Sequence, residues 1–183
     1  MKTIKVPLSK DGIKFIQELM LKFTNALSSK EFMEYIGRKA KETLEQVTLE
    51  NLTTTIDEED DSEHYRRNHD MEIQDNQIIL FNRTMVEFES KYGNGSYSFD
   101  LAKAVEYGVG YTGANSEAAQ YASEYGWEYD INEHGIAGWY YINKEGKRIK
   151  TSGYQGRLIF LKTKNRIEEN INSWVEEYIT KYL

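Results

Sequence analysis

Three glycines in the stretch YGVGYTG, Gly108, Gly110 and Gly113, match the pattern G-x-G-x-x-G that holds the pyrophosphate of a dinucleotide. Asp130 follows Gly110 by 20 residues, about where an acid would bind the ribose. The motif requires a buried parallel strand rich in Val and Ile before the first glycine. The segment there reads DLAKAVEY, which is typical of a helix. We therefore predict no cofactor, and interpret Gly108 as a left-handed helix end followed by a glycine-rich loop over residues 108–126.

Histidines and acids are the other residue types that could do chemistry. His64 and His69 are spaced H-x-x-x-x-H, which does not place both rings on one helix face, and His134 is distant. An EF-hand loop started at Asp57 would have serine at position six and asparagine at position twelve, where glycine and glutamate are required. We predict no metal site and no enzyme. A small hydrolase that uses carboxylates with His64 or His69 is the alternative.

Composition narrows the class of protein. The chain has 183 residues, which predicts one domain over residues 1–183. It has no cysteine, which excludes disulfides and thiolate sites. The net charge of -7 argues against nucleic acid as the main partner. No segment resembles a signal peptide or a membrane span, so we expect synthesis in the cytoplasm and no membrane partner.

Periodicity and turn signals predict the elements that must position these residues. A capping box at Ser28–Glu31 starts the second helix, which fades near NLTTT. The acidic run at Asp57–Glu63 predicts a mobile loop at about 54–66. The remaining elements are a helix at about 11–27, a hairpin at about 70–82, a strand in MVEFES, a loop in KYGNGSYS, a helix in FDLAKAVEYG, a short helix in SEAAQYASEYG, a strand in GWYYIN, a turn in KEGKR and a last helix at about 163–182.

This order predicts an α+β fold rather than a regular alternation of strands and helices. We expect a small, mostly antiparallel sheet. Against it pack the N-terminal helices, a central helix and a C-terminal amphipathic helix.

Three short motifs, in order along residues 10–182, resemble the tail-completion or head–tail joining proteins of tailed bacteriophages, which are minor structural proteins of the neck that also occur in prophages. The motifs are IILFN ending at Asn82, the stretch AVEYGVG at residues 104–110, and a late glycine, arginine and aromatic before an amphipathic helix. Two positions depart from the family pattern: Ile159 stands where a proline is common, and Val109 replaces the usual threonine or isoleucine. The acidic run has no counterpart in the family.

The resemblance implies a non-enzymatic ring subunit that attaches to the tail end and joins it to the capsid connector. Its partners would be tail-tube or terminator proteins, head-connector proteins and further copies of itself, and its location would be the host cytoplasm and then the virion. It implies that residues 108–126 and 144–156 order when a neighbour docks, and that Glu106 pairs with Arg157 or caps nearby backbone. A prophage-encoded regulatory binding module is a further alternative. The motif residues assigned to assembly are Val105, Glu106, Tyr107, Gly108, Gly110, Gly113, Arg157 and Phe160.

Overall fold

The computed structural model describes residues 10–52, 65–89, 96–129, 131, 135–142 and 147–182. The α-helices are α1 Lys10–Leu27, α2 Lys30–Leu52, α3 Leu101–Tyr107, α4 Gly110–Ala114, α5 Ala119–Ala122 and α6 Ile159–Tyr182. The strands are β1 His69–Gln74, β2 Gln77–Asn82, β3 Met85–Glu89, β4 Ser96–Asp100, β5 Gly108–Val109, β6 Trp139–Ile142, β7 Arg148–Thr151 and β8 Tyr154–Gln155. The 3-10 helices are Ser123–Tyr125 and Gly135–Ala137.

The fold is α+β, as predicted, with a long C-terminal helix. The described strands pair two by two, all antiparallel, as β1–β2, β3–β4, β5–β8 and β6–β7. They form separate two-stranded ladders where the sequence predicted one small sheet. None of the described helices combines the length and apolar character needed to cross a membrane.

Helices α2 and α6 lie antiparallel and form the long axis of the core. Arg166 binds Glu50 near the end of α2 at 2.8 Å, and Lys39 contacts Glu177 at 3.2 Å. Tyr178 of α6 packs on Tyr35 of α2, with ring centroids 5.3 Å apart. The ion pairs are exposed and contribute little energy, so the apolar stripe between the helices holds the pair together.

A second apolar cluster lies where α3 crosses the start of α6 and the end of α2. Leu44, Val47, Val105 and Ile159 are at most 1% exposed. Tyr65, from a helical turn at residues 65–67, is fully buried among them. α3 therefore packs against both α2 and α6, and this packing fixes the position of the residues that follow it.

The β1–β2 hairpin confirms the prediction for residues 70–82. Asp75 and Asn76 have φ of 48° and 61°, the two left-handed central residues that a tight hairpin of matching twist requires. The hairpin packs against α2 where Gly37 leaves room for Met71, whose sulfur lies 2.7 Å from the position of a Cβ on that glycine.

Two helix starts differ from the predictions. Ser29, not Ser28, is the N-cap of α2, because its hydroxyl accepts the Phe32 amide at 3.1 Å. α6 begins at Ile159 rather than near Thr163, because a side chain from elsewhere in the chain caps its first turn, as described below.

The segment around β4 was also predicted incorrectly. Residues 96–98 were assigned to a loop, and Phe99 with Asp100 to a helix, but all five form β4 opposite β3. Asp100 then caps α3, since its carboxylate accepts the Lys103 amide at 2.9 Å. The strand β7 replaces part of the predicted turn KEGKR, of which residues 144–146 lie outside the described residues. The acidic loop predicted over 54–66 lies outside them up to residue 64, and Tyr65 and Arg66 belong to a helical turn instead.

Candidate functional site

The predicted motif residues meet at a crossing of two backbone segments that we call the glycine junction, formed by Gly108, Gly113, Gly153 and Gly156. Here β5 pairs with β8, with Gly108 opposite Gln155. A Cβ on Gly108 would lie 2.5 Å from both the Gly156 nitrogen and the Tyr154 oxygen. A Cβ on Gly153 would overlap the Val109 carbonyl, and one on Gly156 the Glu106 carbonyl. Only glycine permits this approach, because the obstructing atoms belong to backbone and have no rotamer to change.

Gly108 does end a helix, but not in the predicted conformation. Its φ is 84° and its ψ is 178°, so it is extended with positive φ and continues into a strand instead of a left-handed turn. Gly110, with φ of 62°, begins α4, and a Cβ on Gly113 would lie 2.8 Å from the Gly108 carbonyl carbon. The predicted loop 108–126 therefore contains short helices and buried glycines. Its ordering when a neighbouring subunit docks stays a prediction.

Side-chain bonds reinforce the junction. The Trp127 indole N–H donates to the Gly108 carbonyl at 2.9 Å, and the Tyr129 hydroxyl donates to the Tyr107 carbonyl at 2.9 Å. The Thr112 amide donates to the Ser152 carbonyl at 3.0 Å. The two segments predicted to order on docking, 108–126 and 144–156, are thus bound to each other within one subunit.

Glu106 caps the start of α6 from 54 residues away in sequence. Leu158 precedes that helix and has no side-chain acceptor, so the first amides need another partner. The Glu106 carboxylate accepts the Phe160 amide at 3.0 Å and the Leu161 amide at 3.3 Å. Burial raises the pKa of Glu106, while these amides and Lys162 oppose the rise. Of the two roles predicted for Glu106, the structure contains the backbone cap.

Backbone hydrogen bonds fix the entry to α6. The Arg157 amide donates to the Val105 carbonyl at 2.8 Å, and the Leu158 amide to the Glu106 carbonyl at 3.1 Å. Leu158 has a φ of 51°, and the helix begins at the next residue, Ile159. The Ile159 amide also bonds to the Glu106 carboxylate and opposes the rise in its pKa, a bond that a proline at this position could not make.

Asn82, the last residue of the first motif, makes two side-chain hydrogen bonds. The Asn82 side-chain amide donates to the Tyr65 carbonyl at 2.7 Å and its oxygen accepts the Thr84 amide at 2.9 Å. The asparagine thereby joins the end of β2 to the helical turn that carries the buried Tyr65.

His69 is a buried residue at the start of β1, 3% exposed. Its Nε2 lies 3.4 Å from the Thr48 hydroxyl, and its ring meets that of Tyr65 edge-on. Burial lowers the pKa of His69 to about 4, helped by the positive charges of Lys41 and Arg66. The ring is neutral at physiological pH and packs as part of the core.

The backbone around the three glycines differs from that of a dinucleotide site. A helix precedes the three glycines, and β5 pairs antiparallel, so the parallel strand of a dinucleotide site is not present at this point. Within the ranges that the structure describes, no group of three His, Asp or Glu side chains could hold a metal ion. Asp130, His64 and His134 lie outside those ranges.

Three residues that form or support the junction were not predicted: Gly153, Trp127 and Tyr129. Gly156 was the late glycine of the third motif, but its close approach to the Glu106 carbonyl was not predicted. The two glycines share the spacing G-x-x-G in SGYQGR. The two aromatic residues carried no local signal, because their partners are backbone carbonyls about 20 residues upstream.

No family model matches this chain, and neither a curated protein nor a solved structure matches it.

Proposed function

We propose that this protein is a non-enzymatic structural subunit of a tailed bacteriophage or prophage, which completes the tail end and joins it to the head connector as one member of a ring. The proposal starts from the three motifs that resemble the tail-completion family. The observation that carries it is that two of these motifs, separated by about 50 residues, meet in one junction. The Arg157 amide donates to the Val105 carbonyl and the Leu158 amide to the Glu106 carbonyl. The Glu106 carboxylate accepts the Phe160 amide. The residues that carry the resemblance thus depend on each other structurally, which supports a shared structural role for the two motifs.

Exposed apolar side chains on α1 support an assembly role. Met20 is 63% exposed and Leu21 is 61% exposed, although helix α1 is strongly amphipathic. In a free subunit these side chains lie in water, where each loses the free energy of its burial, about 1.5–3 kcal/mol. A neighbouring subunit or the tail end would recover that free energy, so we assign α1 to an assembly contact.

Co-sedimentation with isolated tails of the same phage or prophage tests the proposal. We expect saturable pelleting at a few copies per tail. The double variant Met20→Ser, Leu21→Ser should need at least about tenfold more protein to saturate, because two buried side chains are lost from the contact. Ile79→Ser, at a 40% exposed position on β2, is the control for loss of an exposed apolar side chain and should pellet like the parent.

The proposal fails if the parent chain stays in the supernatant at micromolar concentration while the same tails still bind capsids. Equal pelleting of both serine variants would leave the joining role but remove α1 from the contact. Retention in a soluble complex with a host or prophage protein would favour the regulatory module.

A further inference from the structure

A cavity of about 620 Å³ opens beside Glu106. Its walls come from the end of β2, from α3, from the 3-10 helix Ser123–Tyr125 and from the first turns of α6. The volume falls within the roughly 300–1,000 Å³ of small-molecule sites. The lining residues span Leu80 to Lys164, so no local sequence pattern marks this cavity.

Aromatic rings dominate the walls. Tyr107 and Tyr125 are stacked, with centroids 5.8 Å apart and ring planes 20° from parallel. The face of an aromatic ring attracts cations through its quadrupole. One lining ring already makes such a contact, because the Arg83 guanidinium, which is not part of the lining, lies 4.1 Å from the centroid of the Phe81 ring. The rings that line the cavity are Phe81, Tyr107, Tyr121, Tyr125 and Phe160.

Among the charged side chains that line the cavity, the most deeply buried is the acidic Glu106. Glu106 is 6% exposed at the inner wall, whereas Glu124 is exposed nearer the opening. The Lys164 amine is directed away to Glu168 at 3.8 Å, with its side chain 67% exposed. Burial raises the pKa of Tyr107, and the negative charges of Glu106 and Glu124 raise it further. Lys103 and Asp100 complete the charged lining, and the Asp100 carboxylate is engaged as the cap of α3.

The hydrogen bonds of Glu106 restrict what can bind next to it. The Phe160 amide donates to both oxygens, at 3.2 Å to Oε1 and 3.0 Å to Oε2, the Leu161 amide donates to Oε1 at 3.3 Å, and the Ile159 amide also bonds to this carboxylate. A carboxylate has about four acceptor positions, so these three amides leave capacity for one more donor. The amides of α6 that would otherwise attract an anion are already occupied by this carboxylate. An anionic ligand would meet a buried negative charge here, and a cationic one would neutralise it.

We propose that this cavity binds an organic cation, a primary ammonium or guanidinium group on an apolar stem, with the cation at Glu106 Oε2 and the stem against the aromatic rings. Two sources share this chemistry: a free amine, and the lysine or arginine side chain of a peptide. The inference goes beyond the joining role and does not depend on it, because every contact named lies within one subunit.

Titration followed by backbone amide NMR of the full chain distinguishes the two sources. The free-amine probe is phenethylammonium, with phenethyl alcohol as its neutral counterpart. The peptide probe is acetyl-Ala-Arg-Ala-amide, with citrulline replacing arginine in its neutral counterpart. We expect at least one charged probe to shift the amides of Glu106, Tyr107 and Tyr125, and to bind about tenfold more tightly than its neutral counterpart. The charged probe that binds identifies the source.

Variants test the assigned carboxylates. Glu106→Gln should weaken the binding of that probe at least about tenfold, and the exposed Glu124→Gln about two- to fivefold. Glu176→Gln makes the same change in net charge at an exposed position of α6 outside the lining, and should bind within about twofold of the parent. Glu124→Gln also covers the case in which Glu106→Gln fails to fold, because Glu124 caps no helix. The proposal is overturned if neither charged probe binds at millimolar concentration, if the neutral counterparts bind equally well, or if Glu176→Gln weakens binding as much as Glu124→Gln does.

Discussion

The glycine junction predicts that Gly108→Ala is far more destabilising than Gly126→Ala, although both glycines have positive φ. Two costs combine at Gly108. Its φ of 84° and ψ of 178° lie in a region reserved for glycine, which costs about 1–3 kcal/mol for other residues. The new Cβ would also lie 2.5 Å from two backbone atoms, an overlap worth about another 1–3 kcal/mol. The total is about 4 kcal/mol, or roughly 8–16 °C in Tm for a chain of this size.

Gly126 is the matched control. It is left-handed, with φ of 66° and ψ of 34°, and no atom lies within 4 Å of its Cβ position. Gly126→Ala therefore carries only the conformational cost, about 1–2 kcal/mol. Urea unfolding should be followed by far-UV circular dichroism and by tryptophan fluorescence, since Trp127 bonds the Gly108 carbonyl directly. If the two alanine variants unfold at the same urea concentration, the close backbone approach does not exist in solution and the description of the junction is wrong.

Three further predictions concern charge and capping. The folded pKa of His69 is about 4 against 6.5 unfolded, so the unfolded chain binds the proton first. His69 therefore contributes full stability above pH 6.5, and about 3 kcal/mol is lost as the pH falls to 4, a loss that urea titrations of His69→Gln should lack. A double-mutant cycle on Glu50 and Arg166 should give less than about 1 kcal/mol, and a larger, salt-independent coupling would contradict the exposure of the pair. Asp100→Ala should lower the free energy of unfolding by about 1 kcal/mol through loss of a helix cap, whereas Asp100→Asn should retain most of it.

Long helices, whose apolar residues recur at a regular spacing, could be predicted from the sequence. The apolar spacing in α2 identifies the face that is buried, including Leu44 and Val47, without knowledge of the partner helix. In α1 the spacing predicts the helix, but Met20 on its apolar face is 63% exposed. The β1–β2 hairpin was equally accessible, because Asp75 and Asn76 are turn residues that fit two successive left-handed positions. Short strands were not: β5 and β8 have two residues each and exist only because their partners approach.

The candidate site was predictable in its members but not in their roles. Gly108 was recognised as a helix end, yet its extended conformation follows from pairing with Gln155, a contact over 47 residues that no local rule contains. Gly113 was assigned to loop freedom, but the distance to Gly108 makes it a packing requirement. Glu106 had two predicted roles, and only the position of the α6 amides distinguishes between them.

The antiparallel pair of α2 and α6 has a consequence for synthesis on the ribosome. α2 buries its apolar stripe against a helix that is translated about a hundred residues later, which at roughly 5–20 residues per second is a delay of roughly 5–20 s. During that time the α2 stripe has no α6 to cover it. α6 in turn cannot acquire its cap until Glu106 is already in place on α3. The nascent chain therefore completes its core only after α6 has been made, and until then the apolar stripe of α2 is an uncovered surface of the kind that aggregates.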